Sequence, residues 1–359
     1  MSRERIDPLL GLLRDPSAAA RFQLADWDAL IRSARRANLL PRVALDLDER
    51  GLTGLVPEAP RAHLEAARVL AAAQAAAVRR EVAFIDRALA DRGVPIVLLK
   101  GAAYLIAGLS AARGRMFSDV DILVPAETLA DIEAKLMLHG WASAKTSAYD
   151  QRYYRRWMHE LPPLKHHTRQ TVLDVHHAIL PTAARLKPDS AKLLAAAFPV
   201  PGEPRLRVLA PVDMVLHSAT HLFCNEDVGN SLRDLVDLDS LLRELAVRQG
   251  FWEILAGRAA ELDLARPLYY ALRYARGVLD TPVPDTAIRA ADAGRPPPWL
   301  RGLMDGLFLR TLHPRHADRA LTSLARLSLY VRAHWLRMPP LLLAQHLAVK
   351  AFRREESVG

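Results

Sequence analysis

The stretch Val97-Leu-Leu-Lys-Gly-Ala-Ala-Tyr-Leu-Ile106, followed after a short loop by Arg115-Met-Phe-Ser-Asp-Val-Asp-Ile-Leu-Val-Pro125, decides how this chain is read. One apolar run ends in Lys100-Gly101, and a second opens on two aspartates spaced two apart, Asp119 and Asp121. In an extended strand alternate side chains share a face, so both carboxylates project together. Ile122, Leu123 and Val124 predict that the strand is buried, where neighbouring carboxylates repel each other unless a cation compensates. The pair is therefore a candidate site for a divalent metal. A solvated turn would carry the same aspartates, but turns are rarely followed by so apolar a run.

Outward from this stretch, residues from about Ala18 to Arg92 read as helical, with an apolar repeat through Trp27, Leu30, Ile31 and Ala34 and an alanine-rich segment from Pro60 to Ala90. Arg92-Gly93 is a C-cap signal, and Val94-Pro95 leads into the first strand, near Ile96 to Leu99. A helix opening at Gly101, a strand near Val120 to Val124 and a helix from about Ala126 to His139 come next. Extended segments follow near Trp141 to Ala144 and Thr171 to His176. From Val212 onward helical patterns return, notably Met214–Phe223 and Ser231–Ala246. The fold class expected is α+β, a small mixed-sheet core over 94–210 flanked by helical regions over 1–93 and 211–359.

A metal-assisted transfer needs a third carboxylate from a neighbouring strand. Asp174, in Thr171-Val-Leu-Asp-Val-His-His177, has the apolar neighbours such a strand requires, and alternation puts His176 on its face. Lys100, Gly101 and Ala102 stand at a strand-to-helix junction, where glycine permits close backbone approach and free amides attract anions. Arg113 and Arg115 precede the carboxylate pair in a loop, and either can neutralise phosphate charge. His166 and His167 read as loop residues. His217 and His221 have the i, i+4 spacing of a metal pair, but no Glu follows His217 as in an HExxH zinc site, so core or cleft-wall positions are expected. Asp234, Asp237 and Asp239 alternate with leucines on a helix, where a solvated or salt-bridged face is the default.

Strand, Lys-Gly-Ala, helix, arginine-bearing loop, Ser-Asp-Val-Asp-Ile-Leu-Val-Pro and the later Leu-Asp-Val-His-His together resemble the nucleotidyltransferase superfamily of DNA polymerase beta type. More narrowly, Val97 to His177 resembles the bacterial nucleotidyltransferase family protein group, whose members show LKGAA, an R-x-x-x-D-x-D-x-L-V run and a D-x-H strand. The resemblance implies a Mg²⁺- or Mn²⁺-dependent enzyme with two ions held by Asp119, Asp121 and Asp174. It would move an NMP from an NTP to a hydroxyl acceptor, with a phosphate role for Gly101. Through the same resemblance, Arg233 and Asp237 are candidates to line the cleft, while His176, placed on the metal side by the strand's alternation, is a candidate to orient a substrate. The wider superfamily carries Gly-Ser where this chain has Gly101-Ala102; the narrower group shares the Lys-Gly-Ala form.

The rest of the sequence bounds the function. A formal charge of +9 over 359 residues favours anionic partners, although no arginine-rich tail or aromatic platform supports single-strand nucleic-acid binding. A single cysteine, Cys224, excludes an intramolecular disulfide framework and fits a reducing cytoplasm. The N-terminus has no secretory pattern, and no stretch is apolar for long enough to span a bilayer. The region from Leu321 to Arg354 mixes leucines with Arg326, Arg332, Arg337, Lys350, Arg353 and Arg354, as a membrane-surface helix would, but Met338-Pro339-Pro340 interrupts it and ordinary packing helices explain it. The acceptor, whether small molecule, glycan or protein, is not specified. A toxin of the abortive-infection kind acting on tRNA, or a non-catalytic nucleotide-binding scaffold, uses the same residues.

Overall fold

A computed structural model describes residues 7–145, 147–314 and 320–339. Met1-Ser-Arg-Glu-Arg-Ile6 and the tail bearing Pro340, Lys350, Arg353 and Arg354 lie outside the described residues. Seven strands form one mixed sheet: β1 (Ile96–Leu98), β2 (Val120–Leu123), β3 (Trp141–Ser143), β4 (Leu164–His166), β5 (Val172–His176), β6 (Phe198–Val200) and β7 (Glu203–Val208). Their order is β3-β4-β5-β2-β1-β7-β6, so the strands carrying the expected carboxylates, β2 and β5, lie side by side near the centre. β2 runs antiparallel to β1 and parallel to β5.

The helices before the sheet follow from their sequence pattern. Trp27, Leu30, Ile31 and Ala34 are the buried stripe of helix Leu24–Arg36, whose start is fixed by a capping box between Gln23 and Asp26. The alanine-rich segment is a 31-residue helix, Glu58–Ala88. A short 3₁₀ turn follows it, and Gly93 at φ +64° reverses the chain into β1. That left-handed conformation is open to glycine at no steric cost. Helices Pro211–Cys224 and Ser231–Leu245 pack on each other and on helix Ala265–Leu279, and a continuous apolar cluster links residues from Leu9 to Leu329. Pro298 begins helix Pro298–Leu312, and the last described helix ends at Arg337, just before the prolines.

Two expectations change. His166 is a buried strand residue stacked edge-on against Trp141, rather than a loop residue. The second change is in burial alone: the Asp234 and Asp237 face is salt-bridged, as one of its two expected readings has it, but by Arg233 of the same helix and Arg115 inside the protein rather than at the solvent. Among the described residues, no helix is long and apolar enough to cross a membrane.

Candidate active site

Register builds the centre of the site. In the parallel β2–β5 pair Asp121 is opposite Asp174 and Leu123 is opposite His176. Partners in register share a face at a spacing of about 4.8 Å. Val120, Ile122, Leu173 and Val175 are 2% exposed or less and fill the opposite, core-facing side. Asp119 stands one residue before β2, on the face of Asp121, and accepts a hydrogen bond from Ser118 Oγ at 3.0 Å.

Asp121 is already paired. Lys100 Nζ donates to its Oδ1 at 2.7 Å, and His176 Nε2 lies 3.0 Å from the same oxygen. The helix opens at Lys100, one residue before the expected start, and Lys100 adopts φ +47°. A non-glycine residue tolerates this conformation only where its surroundings hold it, and the Lys100–Asp121 contact supplies such a restraint. Burial opposes ionisation of Asp121, yet Lys100 and His176 outweigh it and hold the carboxyl well below the usual range. Burial likewise works against the Lys100 ammonium, and Asp121 reverses the balance and raises it.

Asp174 is the opposite case. Its Oδ1 is buried without a hydrogen-bond partner, and burial, reinforced by the charges of Asp121 and Glu160, pushes its carboxyl up to about 7. Adjacent carboxylates driven apart in this way are a mark of functional sites. The unpartnered oxygen, with Asp119 and Asp121 on the same face, is the hard oxygen donor set that a divalent cation takes.

The structure divides the remaining expected residues into two groups. Lys100, Arg115, Asp119, Asp174, His176 and Arg233 line a cleft of about 300 Å³. Gly101, Ala102 and Asp237 are buried beside it. Arg115 Nε donates to Asp237 Oδ2 at 2.8 Å, and the guanidinium rests on Gly101. A Cβ at Gly101 would fall 2.7 Å from Arg115 Cζ, so the glycine makes room for this arginine. Gly101→Ala is expected to destabilise the fold by about 1–3 kcal/mol in urea denaturation, because the pinned guanidinium cannot retreat. Arg113 turns away to pair with Glu49 and does not line the cleft.

Sequence reasoning missed the opposite wall. His159 and Glu160 extend along β5 through an isolated bridge between Glu160 and His176. The available signal was Leu161-Pro162-Pro163, since a residue before proline is driven toward extended backbone. His217 and His221 do line the cleft. Burial, with the positive charge of Lys100 nearby, holds the His217 imidazole well below its ordinary range. Arg233 is braced by Asp234 at 2.7 Å, and Arg337 of helix Ala320–Arg337 reaches Asn225 Oδ1 at 3.1 Å.

No curated protein matches the chain. The family model described as "Uncharacterised nucleotidyltransferase" matches residues 23–280, which takes in the whole sheet and the helix that carries Arg233 and Asp237. The chain therefore belongs to the uncharacterised nucleotidyltransferase family, and nucleotidyl transfer is its general chemistry.

Proposed function

We propose that the cleft binds a nucleoside triphosphate with divalent metal and transfers its nucleotidyl group to a hydroxyl-bearing acceptor, releasing pyrophosphate. The observation that carries this reading is Asp174, a buried carboxylate with an unpartnered oxygen, held in register beside Asp121 and open to the cleft. Divalent ions held by Asp119, Asp121 and Asp174 would stabilise the attacking and leaving oxygens of an in-line displacement. The acceptor oxygen bonds to the α-phosphorus, the bond to the bridging oxygen breaks, and the acceptor proton passes to Asp174. Arg115, fixed by Asp237, and Arg233, fixed by Asp234, present guanidinium charge to the cleft where pyrophosphate departs.

One observation favours binding without turnover: the Lys100 ammonium already neutralises Asp121. Calorimetric titration with each of the four common NTPs, with and without Mg²⁺, tests both readings. Asp119→Ala and Asp174→Asn are the variants of choice, because removing Asp121 would strand Lys100. Wild-type binding is expected to require Mg²⁺ and to weaken at least tenfold, about 1.4 kcal/mol, in either variant. Metal-independent binding, unchanged in both, would sink the catalytic assignment and leave the scaffold.

A further inference from the structure

We propose that His159, Glu160 and His176 form a second cation site in the same cleft, one that takes Zn²⁺ or a similar transition-metal dication rather than Mg²⁺. Donor atoms of these three side chains all lie within 4.8 Å of one another. Backbone pairing holds them there: Glu160 bridges His176, Leu161 N–H donates to Val175 O at 2.9 Å, and His177 N–H donates to His159 O at 2.9 Å.

The distances carry the argument. His176 Nδ1 lies 3.2 Å from Glu160 Oε2, yet this nitrogen is buried and makes no hydrogen bond. Two ligands on one tetrahedral ion with bonds of about 2.0–2.1 Å stand about 3.3 Å apart. The pair therefore has the separation of two ligands around a common ion without the alignment of a hydrogen bond. His159 Nε2 is 3.9 Å from the same Glu160 oxygen, so a closure of about 0.6 Å brings that pair to the same spacing. His159 Nδ1 is buried with no hydrogen bond, so no such contact resists that small tilt.

His176 also has the outer partner that metal-bound histidines require. Its Nε2 faces Asp121 Oδ1 at 3.0 Å, and a proton donated there leaves the Nδ1 lone pair pointing toward Glu160. A lone pair facing a carboxylate is repulsive unless a cation lies between them. Burial works against a proton on Nδ1 while Glu160 and Asp121 favour it, so that proton is the occupant a metal ion has to displace. Two imidazoles and one carboxylate suit Zn²⁺, whereas Mg²⁺ prefers oxygen ligands. The cleft supplies an open fourth position, and through His176 the ion would fix the orientation of Asp121. His176 is on this reading a positioning residue.

The test uses tag-free, full-length protein stripped with chelator, in the absence of nucleotide, so that it reads the site whether or not NTP binds. Titration with Co²⁺ is expected to give the strong visible absorption of a four- or five-coordinate ion at one equivalent. Zn²⁺ should displace it, and millimolar Mg²⁺ should not. Glu160→Gln, which keeps the side-chain shape, and His159→Ala should each weaken Zn²⁺ binding at least tenfold, while Asp119→Asn leaves it unchanged. Zn²⁺ affinity equal to wild type in Glu160→Gln, or loss of binding in Asp119→Asn alone, would overturn the site. So would only the weak spectrum of six-coordinate Co²⁺.

Discussion

Asp174→Asn is expected to lower kcat/KM for nucleotidyl transfer by about 10³-fold or more while making the metal-free protein more stable above neutral pH. The two effects have one origin. Asp174 is buried beside Asp121, and its carboxyl is pushed up to about 7, above the unfolded value near 4. Between those values the folded chain holds a proton that the unfolded chain has released, so stability falls as pH rises through that window. Each unit of displacement is worth about 1.4 kcal/mol, which makes the full effect a few kcal/mol. Asparagine cannot ionise and escapes the loss. In chelator, the variant should match the wild type near pH 4 and melt several degrees higher at pH 8. Added Mg²⁺ should then raise the wild-type Tm at pH 8 and leave the variant unmoved. A variant less stable than wild type at pH 8 would mean that this carboxylate is not electrostatically strained.

Asp237→Ala is expected to destabilise the fold by about 3–5 kcal/mol. Arg115 and Asp237 side chains are only 10% and 8% exposed, and their contact is 2.8 Å. Removing the carboxylate leaves a guanidinium charge buried over Gly101 without its hydrogen-bonded partner. Burial and the neighbouring Asp234 push the Asp237 carboxyl up, but Arg115 opposes them. Replacing both partners by apolar residues, as in Arg115→Met/Asp237→Leu, should cost less than Asp237→Ala alone, since no charge is then stranded. Urea denaturation of the two variants checks the order. Equal loss in the single and double variants would show that shape, rather than charge, holds the helix Ser231–Leu245 in place.

The parts of this site that can be read from sequence are those whose signal is local. Val120 to Val124 and Thr171 to His176 announce strands by their apolar alternation, and the same alternation puts Asp119 with Asp121, and Asp174 with His176. What joins the two strands is the register of Asp121 with Asp174, and no local pattern encodes a pairing between residues 53 apart. Gly101 illustrates the limit more sharply. A glycine after a strand reads as room for a ligand, whereas its nearest neighbour is Arg115, held by Asp237 from a helix more than a hundred residues on. Glu160 gives no periodic signal because two prolines follow Leu161, and it enters the site only through an isolated bridge. β7 was hidden by its own exposure: Glu203, Pro204 and Arg205 lie open to solvent near the sheet margin, so no apolar alternation marks the strand's start.

Arg337 enters the cleft wall from a helix beyond residue 280, where the family match stops. The carboxylates and the sheet that aligns them lie wholly inside that match. Among the described residues that line the cleft, Arg337 alone lies beyond the match. An exchange of the final helix is therefore expected to remodel one wall of the cleft and to leave the register of Asp121 with Asp174 in place.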